Sequence, residues 1–109
     1  MINTNQLKVV LCDAVSKKLV IRLRYDNDLQ WRTFEPQAVF TTTADNLDVT
    51  GIQTSNPNSL SHTERKVRNF ALSMVKAIEV TQTQFKFDPT FDRTHKRFAH
   101  GIFCYIKPD

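Results

Sequence analysis

Cysteine, glycine and long apolar runs are all scarce in this chain of 109 residues. The two cysteines, Cys12 and Cys104, stand far apart among apolar neighbours, and no Cys-x-x-Cys pair occurs. The plainer reading is two buried free thiols in a cytoplasmic protein, with a disulfide as the alternative. His62, His95 and His100 have no zinc-ligand spacing with either cysteine, so neither a metal nor another cofactor is expected. No run approaches the roughly 18 apolar residues of a membrane helix, and the N-terminus has no charged-then-apolar leader. A soluble, intracellular protein with no membrane partner follows as an expectation. Internal repeats and low-complexity stretches are absent as well.

Against two glycines stand eight phenylalanines, which points to a packed, β-rich core. Hydrophobic content of 40% and charged content of 24% are ordinary for one globular domain. The net charge of +4 draws the chain only moderately toward polyanions, so the placement of the charges matters more than their sum. Lys17, Lys18, Arg22 and Arg24 lie close together, as do Arg65, Lys66 and Arg68, and then Arg93, Lys96 and Arg97.

Leu7, Val10, Leu11, Ala14 and Val15 recur at helical spacing, predicting an amphipathic helix over residues 4–18. Asn3 or Thr4 can cap its start, and Lys17 and Lys18 suit the negative end of its dipole. Short β-type runs follow at residues 19–26, 30–35, 37–43, 47–53, 66–72 and 78–87, with Pro36 ending the second. The turn Asp26-Asn27-Asp28 lacks the glycine of the strongest hairpin turns. Residues 54–63 read as a polar loop, residues 92–99 as a short helix and residues 102–106 as a last strand. The pattern is mainly β (α+β): one helix, then a small, strongly bent sheet or barrel of five to six strands.

Three pieces place arginines among apolar strand residues: Ile21-Arg22-Leu23-Arg24-Tyr25, Arg32-Thr33-Phe34-Glu35-Pro36 and Arg68-Asn69-Phe70-Ala71-Leu72. Such runs bury one face and hold guanidiniums on a rigid support, where their paired donors suit phosphate. In order and spacing these pieces resemble the WYL domain, a ligand- and nucleic-acid-sensing module of bacterial transcription regulators, also found in accessory proteins of CRISPR and phage-defence systems. Tyr25 matches the tyrosine ending the family's first strand, and Arg32, Phe34 and Pro36 match its second element. Arg68, Phe70, Leu72 and Val75 match the long segment, and Phe85 the phenylalanine that closes the module. The Trp-Tyr-Leu triplet stands here as Leu47-Asp48-Val49, and the long segment's second arginine as Met74. The resemblance implies an Sm-like, SH3-like barrel over residues 1–87, with residues 88–109 an extension packing on it. It also implies a pocket that is less basic than the family's, takes another ligand, or has lost ligand binding.

The expected site for nucleic acid or a nucleotide-like anion is Tyr25, Trp31, Arg32, Lys66 and Arg68, with Lys17, Lys18, Arg22 and Arg24 as a second basic strip. The plainer alternatives are a core tryptophan, a solvated strand face, and arginines pairing with Glu35, Glu64 or Asp48. No catalytic residue is expected: Cys12, Asp13 and His100 are the nearest candidates, and no histidine is placed to activate either cysteine. The function expected is a non-enzymatic regulatory or accessory module for transcription or phage defence. Its partners would be single-stranded DNA, RNA or a nucleotide-like ligand, together with a DNA-binding domain or partner protein supplying the output. Residues 1–18 leave room for one helix and no helix-turn-helix. A protein-interaction or homodimerisation domain is the alternative function.

Overall fold

A computed structural model describes residues 3–55 and 63–109. Helix α1 spans Thr4–Lys17, and Asn3 caps it by accepting a hydrogen bond from the Gln6 N–H at 2.8 Å. Leu7, Leu11, Ala14 and Val15 form its buried stripe. Lys18 ends it in the left-handed conformation. Six antiparallel strands follow: β1 Leu19–Tyr25, β2 Arg32–Thr41, β3 Leu47–Ser55, β4 Thr63–Ala71, β5 Val75–Gln84 and β6 Ile102–Tyr105. They form one sheet in the order β4-β3-β2-β1-β5, with β6 also paired to β2.

The fold is mainly β, as the pattern implied, but the expected barrel is not closed. The edge strands β4 and β5 do not pair, and the 3-10 turn Leu72–Met74 joins them. There the Asp26 N–H donates to the Met74 carbonyl at 2.8 Å, and the Ala71 N–H donates to the Tyr25 hydroxyl at 3.2 Å.

The two runs expected on either side of Pro36 are one strand. Pro36 pairs with Gly51 and Ala38 with Thr50, leaving Gln37 as the extra residue of a β-bulge. A bulge is one of the few places in a ladder where a proline is tolerated. It also resets the alternation of side chains. Phe34 and Val39, five positions apart, both enter the main core with Leu7, Leu11, Val49 and Phe70. Ala38 and Phe40 turn to the opposite face, where Phe98 covers them with Phe91, Ile102 and Tyr105. The bulged residue anchors this cover: the Gln37 carbonyl accepts from the Ile106 N–H at 2.8 Å, and its side-chain amide donates to Asp88 at 3.1 Å.

In the C-terminal segment the expected helix over residues 92–99 is only the 3-10 turn Lys96–Phe98. Asp88 and Asp92 shape the preceding turns, each accepting from the hydroxyl and N–H of the threonine two positions on. Those bonds, led by the threonine hydroxyl, hold both carboxyl groups below their ordinary range. The polar loop expected over residues 54–63 is strand at both ends, and residues 56–62 lie outside the described residues. No helix among the described residues is long and apolar enough to cross a membrane.

The expectation of free thiols is corrected. Cys12 on α1 and Cys104 on β6 form a disulfide, with Cα atoms 5.7 Å apart and 92 positions between them in sequence. Helix and strand meet because both pack on β2. The cross-link withdraws the free thiols as support for the cytoplasmic expectation, which also drew on the absence of a leader and of a membrane-length apolar run.

Two stability predictions follow from this packing. A Cβ at Gly51 would overlap the Glu35 carbonyl and lie 2.6 Å from the Phe34 ring, so Gly51→Ala should cost about 2 kcal/mol in a urea titration. A loop of 92 positions makes the disulfide worth about 4.5 kcal/mol in the chain-entropy account. Dithiothreitol should therefore lower the melting temperature of the wild type by about 10 °C or more. It should leave the Cys12→Ser/Cys104→Ser double variant unmoved.

Candidate anion-binding faces of the sheet

The expected site residues divide between the two faces of the sheet. On the inner face, β1 pairs Leu23 with Arg32, and β2 pairs Phe34 with Gln53. Gln53 in turn opposes Lys66, and Gly51 opposes Arg68. Strand alternation therefore sets Arg32, Lys66 and Arg68 on the same face as the core residue Phe70, at the end of the sheet where Tyr25 lies.

The Tyr25 ring tilts against Phe70 at 4.8 Å, and the Arg32 guanidinium lies 5.7 Å from the Phe70 centroid. Phe70 thus links two of the five primary residues expected from the sequence, Tyr25 and Arg32, while Lys66 and Arg68 share their face by strand alternation.

The guanidinium of Arg32 is already occupied. Its Nε and Nη2 donate to the two Asp28 oxygens at 2.6 and 3.0 Å, and its Nη1 donates to Gln53 Oε1 at 3.2 Å. Asp28 also accepts the Tyr25 N–H at 3.1 Å. The pair is largely withdrawn from solvent, with side-chain exposures of 17% for Arg32 and 9% for Asp28. Such a bidentate pair satisfies both charges and fixes the β1–β2 turn. The partner is none of the three carboxylates considered from the sequence. Of those, Glu35 is held in a two-bond pair by Arg65, and burial pushes the Asp48 carboxyl above its ordinary range. The signal for Asp28 was its place four residues before Arg32 across a turn. An open cavity of about 460 Å³ lies beside this pair, lined by Tyr25, Asp28, Leu29, Gln30 and Arg32 among others. The Arg68 Nε is buried, and Lys66 is exposed.

Trp31 is not a core residue. It lies half-buried on the outer face, with the Arg22 and Arg24 guanidiniums 5.2 and 5.4 Å from its ring. Arg22 also reaches Glu79 at 3.3 Å. Lys17 and Lys18 do not join these arginines. Lys17 pairs with Asp13 on the helix, and Lys18 with Asp109. The Lys18 bond holds the Asp109 carboxyl below its ordinary range. Among the residues considered for catalysis, Cys12 is tied up in the disulfide. No group of three or more His, Cys, Asp or Glu among the described residues is placed to hold a metal.

No protein-family model matches this chain, and no curated protein matches it. Among solved structures, it is similar to proteasome accessory factor B/C (PafBC) of Arthrobacter aurescens. The TM-score is 0.56 at 19% sequence identity. The match takes in 75% of this chain and 12% of that one, so it is a likeness of fold to a small part of a much longer protein.

The Asp28–Arg32 pair carries a prediction. Arg32→Ala strands a nearly buried carboxylate and should destabilise the fold by about 3 kcal/mol. In urea denaturation, a loss below about 1 kcal/mol would show that the turn does not depend on the pair.

Proposed function

We propose that this chain is a WYL-related regulatory module that binds nucleic acid or a nucleotide-like anion on its arginine-bearing sheet and carries out no catalysis of its own. The observation that carries this reading is a pair of arginines set on one strand beside a half-buried tryptophan, Arg22 and Arg24 with Trp31. Guanidiniums on a strand are positioned in advance for phosphate, and an indole offers a surface for a base. The likeness of fold to part of PafBC supports the structural half of this reading. So does the arrangement of one helix followed by the strand order β4-β3-β2-β1-β5, with a 3-10 turn between the edge strands. That arrangement keeps the helix-then-strands order the resemblance implies, without the closed barrel. The module would pass its occupancy to a DNA-binding domain or partner protein.

A second reading, a docking or dimerisation domain with no ligand of its own, draws on Phe103. This β6 residue is 53% exposed, with the Lys8 ammonium over its ring at 4.5 Å.

Fluorescence polarisation with labelled single-stranded DNA and RNA, over a salt series, separates the two. Binding through phosphate contacts should weaken steeply as salt rises, because each contact releases condensed counterions. Absence of binding at tens of micromolar, roughly the range of non-specific nucleic-acid affinity, would leave the docking reading.

A further inference from the structure

On the outer face of the sheet, the half of β2 after the bulge lies under Phe98 and its neighbours, whereas Trp31 and Thr33 lie outside that cover. Arg22 opposes Thr33 in β2 and Glu79 in β5, and Arg24 opposes Ala77. The two guanidiniums are thus flanked by a small residue on at least one side, and the indole is the only large ring among them. Arg22 remains 42% exposed despite its contact with Glu79. Arg24 has no ion pair among the described residues, and its Nε is buried with no hydrogen-bond partner there. A guanidinium whose Nε is buried without a hydrogen bond, and whose neighbour is an aromatic ring instead of a carboxylate, keeps its charge open to an incoming anion.

We infer that Trp31, Arg22 and Arg24 form a platform for single-stranded nucleic acid, with one base stacked on the indole and the adjoining phosphates held by the two arginines. The inference rests on the proposed function and assigns it to this face instead of the inner one, where Asp28 already occupies Arg32. Arginines two apart on one strand are set roughly 7 Å from one another, so they meet successive points along an extended backbone. A duplex hides its base faces in the stack, so this chemistry selects an unpaired strand. Glu79 sets the boundary of the platform, because its carboxylate repels phosphate beyond Arg22.

The chain has a single tryptophan, so its intrinsic fluorescence reports on this position alone. Titration of the full chain with an unlabelled oligothymidylate should quench that emission in parallel with polarisation of a labelled copy. Trp31→Ala should weaken binding about tenfold or more, the range seen for loss of one stacked base. Trp31→Phe should restore part of that affinity. Arg22→Ala and Arg24→Ala should each lower the slope of log affinity against log salt by about 0.7. Lys96→Ala, the same charge change on the C-terminal segment, should not alter the slope. Thermal melts of each variant separate loss of binding from loss of folding. Polarisation binding with unchanged tryptophan emission, and full affinity in folded Trp31→Ala, would overturn the platform and leave the proposed function standing. No binding by the wild type in either readout would overturn both.

Discussion

Strand β2 pairs along one edge with β3 and along the other first with β1 and then with β6. A ten-residue strand with strict alternation would offer the same face to both neighbours throughout. The bulge at Gln37 breaks that symmetry: Phe34 and Val39 go to one core and Ala38 and Phe40 to another. Gly51 belongs to the same constraint, because the Phe34 ring and the Glu35 carbonyl occupy the space a side chain would need. The inner core under α1 and the outer cluster under the C-terminal segment both depend on this local rotation.

The bulge also sets where polar groups can be buried without loss. Among the described residues Gln37, Thr50 and Gln53 are the buried polar ones, and each has a hydrogen-bond partner. Gln37 and Thr50 hold the C-terminal segment, through Asp88 and Arg97 respectively. Gln53 accepts from Arg32 inside the sheet. Burial of a polar group is costly unless it is paired, so these contacts make the outer cover specific as well as apolar. The disulfide fastens the same region from the other side, joining α1 to β6.

Arginines with similar sequence surroundings consequently have different roles. Arg32 faces inward, where low dielectric and a geometry matched to Asp28 make it part of the architecture. Arg22 and Arg24 face outward, where an aromatic ring is their nearest companion and water or a ligand can take the remaining donors. The same residue type, one position out of phase on paired strands, is thereby a structural tie on one face and a candidate contact on the other.

The sequence by itself determined the elements with a strong local signal. The helix shows in the spacing of Leu7, Leu11, Ala14 and Val15, and the first strand in the alternation of Ile21 and Leu23 with Arg22 and Arg24. The split of β1 into two faces follows from period-two patterning alone. Only the tertiary structure decided the rest. The bulge at Gln37 depends on register against β3, which no period in β2 records. The Asp28–Arg32 pair depends on how the β1–β2 turn folds back, and the Cys12–Cys104 bond on two distant segments packing against one strand. The placing of Trp31 beside Arg22 and Arg24 depends on the pairing of β1 with β2. Periodicity reports which face a residue takes within its own strand, whereas a site is made of residues that pairing and packing bring together across strands.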